Sequence, residues 1–152
     1  MKTIKYPTYQ DVMWLYDRVI DVSDGGIKGF RDEGELLYVL DFVQSDMYFP
    51  DFISKMTFIT HRVCHGHIFL DGNKRMGLAI GGLFMSLNGI YSSSLNYIGR
   101  MEIISYHIAS GNIDEELLRK LLVDILKGKD YDEDLKFMLF NAIQTKELSE
   151  NI

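Results

Sequence analysis

Nine consecutive residues, His67-Ile68-Phe69-Leu70-Asp71-Gly72-Asn73-Lys74-Arg75, bring together a base, a carboxylate, a glycine, an amide and two cations. Those are the groups needed to hold the phosphates of a nucleotide and to activate a hydroxyl beside them. His67 is the candidate general base, because an imidazole with an ordinary pKa of about 6.5 can accept a hydroxyl proton near neutral pH. Asp71 is a single carboxylate beside a phosphate site. Magnesium is commonly held that way, by one or two protein oxygens together with phosphate and water. Gly72 lets the backbone approach a phosphate closely. Asn73 can donate from its side chain and help cap the turn. Lys74 supplies a point charge, and Arg75 a planar fork that matches two phosphate oxygens. Phe69, apolar between polar neighbours, is the candidate anchor that pins the loop into the core so that His67 and Asp71 face the site.

Each residue alone has a plainer explanation. A histidine between helix and loop is commonly structural, and Asp-Gly is a common turn. A Lys-Arg pair opening a helix is usually just solvated, and it opposes the helix dipole unless an anion is bound. The order and spacing of the whole set favour a phosphate site.

Such a loop needs a helix N-terminus behind it, where the first amides lack intrahelical partners. The sequence predicts that helix from about Asn73 to Leu87, stopped by Asn88-Gly89. Its residues are nearly all apolar or small, which predicts the buried centre of a domain. Before it, a capping box from Thr8 to Asp11 opens a first helix with Tyr9, Val12, Met13, Tyr16, Val19 and Ile20 at helical spacing, ending near Ser23 before Asp24-Gly25-Gly26. Asp32 with Glu35 makes a second capping box for Leu36, Leu37, Val39, Leu40 and Val43. Asp51 starts a third helix through Phe52, Met56, Ile59 and Val63 to about His65-Gly66. The glycine-rich Gly25 to Phe30 reads as a loop or short hairpin. Further helices are predicted from about Asn96 to Ala109, from Ile113 to Lys127 and from Tyr131 to Glu147. The last carries Leu135, Met138, Leu139 and Ile143 as an apolar face for the body or for a second copy in a homodimer. Tyr9, Trp14, Tyr16 and Phe42 are assigned to the core. The acidic run Asp130 to Asp134 reads as a helix start.

The 152 residues suit one domain, all-α, with any strand content confined to the glycine loop. A net charge of −6 argues against direct nucleic-acid binding, which needs a basic surface to release counterions. Cys64 is the only cysteine, which excludes an internal disulfide and favours a reducing compartment. No signal peptide or membrane-length apolar run is visible. A cytoplasmic location is the expectation.

The nine-residue run resembles the signature of the Fic/Doc family, and its Asn73-Lys74-Arg75 ending is similar to the Doc (death-on-curing) branch. The likeness extends to Gly25-Gly26-Ile27-Lys28-Gly29-Phe30-Arg31-Asp32 with Leu36-Leu37, similar to the glycine-rich stretch and second helix of Doc-like proteins. It extends also to Leu83 through Gly89, similar to the helix end found there. It covers the chain from about Leu15 to Lys127. The resemblance implies a compact helical bundle, with a central buried helix after the motif loop and a short glycine-rich flap. Residues 1–152 would form a single domain, with 128–152 as an extra C-terminal helix.

The resemblance also implies a chemistry. Fic/Doc proteins modify a protein hydroxyl using a nucleotide, here ATP or another NTP with Mg2+. Carried onto this chain, His67 is the base, Asp71 the magnesium ligand, and Gly72, Asn73, Lys74 and Arg75 the phosphate cradle. Gly26, Ile27, Lys28, Gly29 and Phe30 resemble the flap that aligns a target segment beside His67. Fic enzymes usually carry glycine where this chain has Lys74 and a second arginine where it has Leu78, and they transfer AMP. Doc-like proteins carry the lysine, lack the second arginine and transfer the terminal phosphate. That branch implies a toxin that phosphorylates translation elongation factor Tu and is neutralised by an antitoxin of the Phd type. The alternatives are a Fic-type AMP transferase and an inactive module that binds nucleotide or protein.

Two departures stand out. Gly72 occupies a position where the best-known Doc has alanine. The self-inhibitory Fic pattern is missing, since Lys146 stands where its hydroxyl residue belongs before Glu150-Asn151, so restraint would fall to a partner chain. A zinc site from His61, Cys64, His65 and His67 is a competing reading, because His61 and His65 share a helical face. Cys64 points off that face, and packing is the plainer account of these side chains.

Overall fold

The computed structural model describes residues 3–22, 26–90 and 94–150. They form seven helices: α1 (Tyr9–Val22), α2 (Glu33–Phe42), α3 (Phe52–His65), α4 (Asn73–Leu87), α5 (Ser94–Ala109), α6 (Glu115–Lys127) and α7 (Glu133–Glu150). The predicted all-helical class holds. The glycine segment forms no hairpin among the described residues. It makes one isolated antiparallel bridge instead, from Phe30 to Phe69 of the motif loop. The predicted end of α1 at Ser23 to Gly25, and Asn151 at the far end, lie outside the described residues.

Local chemistry explains where most helices start. Thr8 and Asp11 form the reciprocal box, Thr8 N–H donating to Asp11 Oδ2 at 2.9 Å and Asp11 N–H to Thr8 Oγ1 at 3.1 Å. Asp32, Asp51, Asp114 and Asp132 each accept a backbone N–H in the first turn of α2, α3, α6 and α7. The box expected at α2 is only half made. Glu35 does not turn back to Asp32. Its Oε1 takes Arg62 Nε at 3.0 Å and Arg62 Nη2 at 2.6 Å. Two charge-assisted bonds outcompete one bond to a backbone amide, and the Asp32 N–H goes to Ile68 O at 3.0 Å.

α4 lies at the centre, packed on α3 most extensively and also on α5 and α1. It buries Met76, Gly77, Ile80, Gly81, Phe84 and Met85. Small residues permit this closeness: a β-carbon at Gly77 would collide with Cys64 Sγ, and one at Gly81 with the Tyr97 hydroxyl. Asn88 does more than stop α4. It accepts Lys5 N–H at 2.9 Å and donates to Lys5 O at 2.8 Å, fastening the N-terminal segment to the far end of the helix.

One assignment to the core is corrected, and the apolar face of α7 is less segregated than expected. Trp14 is 55% exposed, because the Arg18 guanidinium lies 3.4 Å above its ring and gives the indole a partner at the surface. On α7, Leu135 is buried and Leu139 packs against the core, but Met138 is exposed, as are Phe137 and Phe140. Apolar side chains surround that helix, so the single face expected from Leu135, Met138, Leu139 and Ile143 is not segregated. α7 packs on α6, and one neighbour can cover only one side.

Candidate functional site

The motif loop leaves α3 through Gly66, whose N–H donates to Arg62 O at 2.8 Å. A β-carbon at Gly66 would collide with that carbonyl, so only glycine permits this exit. The next residues alternate with purpose. His67 and Leu70 are exposed, while Ile68 and Phe69 are fully buried. Phe69 packs its ring 4.5 Å from that of Tyr16 and 5.3 Å from that of Phe30.

Asn73 holds the loop's curvature. Its Nδ2 donates to Phe69 O at 3.0 Å, and its Oδ1 accepts Phe69 N–H at 3.0 Å. The side chain is therefore committed to the loop rather than open to a phosphate, and the backbone N–H is what Asn73 could offer an anion. Gly72 has φ +82°. A β-carbon there would meet Ile20 Cδ1 at an ordinary 3.7 Å, so it is the left-handed backbone and not lack of room that selects glycine. The helical ladder starts with Met76 N–H to Gly72 O at 2.8 Å. The amides of Asn73, Lys74 and Arg75 come before it, and no side chain caps them.

The charges fit this open end. The first turn of α4 holds no acid and two exposed cations. Among the described residues neither Lys74 nor Arg75 pairs with a carboxylate. The Lys74 ammonium instead sits 5.1 Å from the centre of the Tyr106 ring. Asp71 Oδ1 accepts the Gly72 N–H at 2.8 Å, and Oδ2 has no protein partner among the described residues. One carboxylate oxygen beside unpartnered amides is a donor set that suits magnesium and phosphate together.

The four histidines differ in their engagement. His61 Nε2 lies 3.1 Å from Ile113 O, His65 Nδ1 3.2 Å from Ile108 O, and His107 Nδ1 3.0 Å from Asn112 Nδ2. Burial is the main reason His61 titrates below its usual range. The exposed His67 ring has no hydrogen-bond partner among the described residues. Cys64 is buried under Gly77, and desolvation pushes its thiol up to about 12, which makes it an inert core group. His61 and His65 serve carbonyls of neighbouring segments, so packing accounts for both.

The segment from Gly29 to Asp32 runs alongside the loop. Leu70 N–H donates to Gly29 O at 3.0 Å, and the amides of Arg31 and Asp32 both donate to Ile68 O. Lys28 forms an ion pair with Asp17 of α1. Sequence reasoning gave Tyr16, Glu35 and Arg62 no part here. Tyr16 braces the flap, and the Glu35–Arg62 pair ties α2 to the end of α3. The polar tip of a tyrosine at a core position was the one signal for Tyr16. A concavity of about 670 Å3 lies elsewhere, at the other end of α4 between Ile4, Phe52, Leu87 and Ile90. Its walls include no motif residue.

The model of the Fic/DOC family matches residues 6–85, just over half of the chain and a span that includes the flap, the motif loop and nearly all of α4. No curated protein matches the chain. No helix among the described residues is long and apolar enough to cross a membrane.

Proposed function

The chain belongs to the Fic/DOC family, whose members are typically nucleotide-dependent transferases, and from that premise we propose that it is a Doc-like protein kinase. It transfers the terminal phosphate of ATP, or of another NTP, to a serine or threonine hydroxyl of a protein target, for which elongation factor Tu is the candidate. A partner antitoxin restrains it. The observation that carries this reading is the uncapped N-terminus of α4, with Lys74 and Arg75 in its first turn and an unengaged histidine on the loop that leads into it.

In this reading His67 takes the proton from the target hydroxyl as the oxygen attacks the γ-phosphorus. The bond from that phosphorus to the β-phosphate oxygen breaks, and the nucleoside diphosphate leaves with the electron pair. The proton on His67 then passes to solvent. Asp71 would hold Mg2+, which when bound neutralises charge on the phosphates. Lys74, Arg75 and the first amides of α4 stabilise charge on the transferring group. Lys74 and Leu78 favour phosphate over AMP transfer. Lys74 fills the position where AMP-transferring relatives have glycine. Leu78 stands where they have a second arginine, and here it lines an apolar groove with Leu15, Ala79, Tyr97 and Ile98. That groove offers no charge to grip further phosphates.

The test incubates the protein with elongation factor Tu and ATP labelled either at the γ-phosphate or in the adenine. Mass spectrometry of the modified residue reads the outcome independently. Label from the γ-phosphate and one added phosphate are expected. Label from adenine, with a whole added nucleotide, would make the protein an AMP transferase. Transfer of neither label to any protein would leave a binding module.

A further inference from the structure

Tyr16 is 1% exposed and packs against Phe69, as a core aromatic should. A residue that only filled space would be served as well by phenylalanine. The Tyr16 hydroxyl, however, makes two bonds to one residue of the flap: it accepts Gly29 N–H at 2.8 Å and donates to Gly29 O at 3.1 Å. The same Gly29 carbonyl accepts Leu70 N–H from the motif loop at 3.0 Å. One carbonyl is thus shared between α1 and the loop that carries His67. Gly29 itself cannot be replaced at no cost, for its φ is +146° and a β-carbon would approach Leu70 Cδ1 to 2.9 Å.

The same helix reaches the other half of the site. Ile20, one turn beyond Tyr16, lies near Gly72, where the phosphate cradle begins: a β-carbon added there would meet Ile20 Cδ1 at 3.7 Å. Residues four apart share a helical face. One face of α1 therefore binds the flap at Gly29 and lies close to the start of the cradle. Asp17, next to Tyr16, adds the surface ion pair to Lys28.

We infer that Tyr16 is a positioning residue of the transfer reaction: its hydroxyl sets the flap backbone at a fixed height over the His67 loop, and α1 fixes the spacing between flap and cradle. A target segment laid along the flap is then presented to His67 in one register. The inference rests on the proposed reading of Gly26 to Phe30 as the target-docking flap.

The test uses the full chain with Tyr16→Phe, which keeps the ring and removes only the hydroxyl. Amide exchange at Gly29 and Leu70 should rise about tenfold, the loss of one to two hydrogen bonds. Affinity for MgATP should stay the same. With elongation factor Tu as the acceptor, KM should rise about fivefold or more while kcat changes by less than about twofold. Tyr16→Leu, which also empties part of the core, should lower the melting temperature and depress kcat and KM performance together. Unchanged exchange at Gly29 and Leu70 in Tyr16→Phe overturns the inference, as does a fall in MgATP affinity parallel to the fall in transfer. If the parent protein transfers nothing to elongation factor Tu, the kinase reading fails separately. The exchange of Gly29 and Leu70 then decides for or against the hold of the hydroxyl.

Discussion

α6 begins on Asp114, whose carboxylate accepts Leu117 N–H at 2.8 Å, and Glu115 and Glu116 follow in its first turn. α4 begins on Gly72 in the left-handed region, with no side-chain cap, no acid in its first turn, and Lys74 and Arg75 in their place. A cap contributes about 1 kcal/mol, and an acid near the positive end of the dipole about 0.3–1 kcal/mol. α6 collects these terms and α4 forgoes them. Among the described residues five helices start on a side-chain cap and α4 does not. What holds α4 in place is the local clamp of Asn73 on Phe69 together with two tertiary contacts, the aromatic packing of Phe69 and the close approach of Gly77 to Cys64. An end held by neighbours rather than by its own cap keeps its amides free for a ligand.

If the open end is a catalytic site, the largest effect should come from its base. His67→Ala should lower target phosphorylation by about a hundredfold to ten-thousandfold while MgATP binding, followed by calorimetry, stays near the parent value. Wild-type turnover would remove His67 from the chemistry and leave the α4 end as an anion site only.

The next experiment sets the two helix ends directly against each other. Replacing both Lys74 and Arg75 by alanine should reduce transfer by about a hundredfold or more and leave the urea midpoint nearly unchanged, since neither cation pairs with a carboxylate among the described residues. Asp114→Ala should do the reverse, costing about 1 kcal/mol of stability with transfer intact. Equal stability losses at the two ends would mean that α4 is an ordinary helix start.

The smallest effect is in the pH response. Bonds from Ser54 Oγ and N–H, with help from Arg119, hold the Asp51 carboxyl at the start of α3 down to about 2, from an ordinary 3.8. A depressed carboxylate adds stability above its unfolded pKa, and that stability disappears as pH falls through the folded value. The parent should thus lose stability between about pH 4 and pH 2 through this group. Asp51→Asn keeps a cap but cannot titrate, and its stability should fall less over that window in urea titrations. The difference will be modest because half of the Asp51 side chain meets solvent, which screens it. The end of α4 has no carboxylate cap to titrate, so acid leaves it without an equivalent loss.

Sequence alone determined what is local. Caps at Thr8 and Asp51, and breaks at Gly66 and Asn88, are written in residues a few positions from the backbone groups they satisfy. Helix number and class followed, and α3 and α4 were legible nearly to the residue. The motif was legible because His67 to Arg75 is contiguous, so its spacing survives without knowledge of the fold. Tertiary structure decided the partners that lie far along the chain. Glu35 turned from its own cap to Arg62, and Tyr16 from core filler to a brace on Gly29. Each of these polar groups had a local use available, and a partner from another element gave it a better-satisfied one. No period or propensity reports that choice, because it depends on which segments folding brings within about 3 Å of one another.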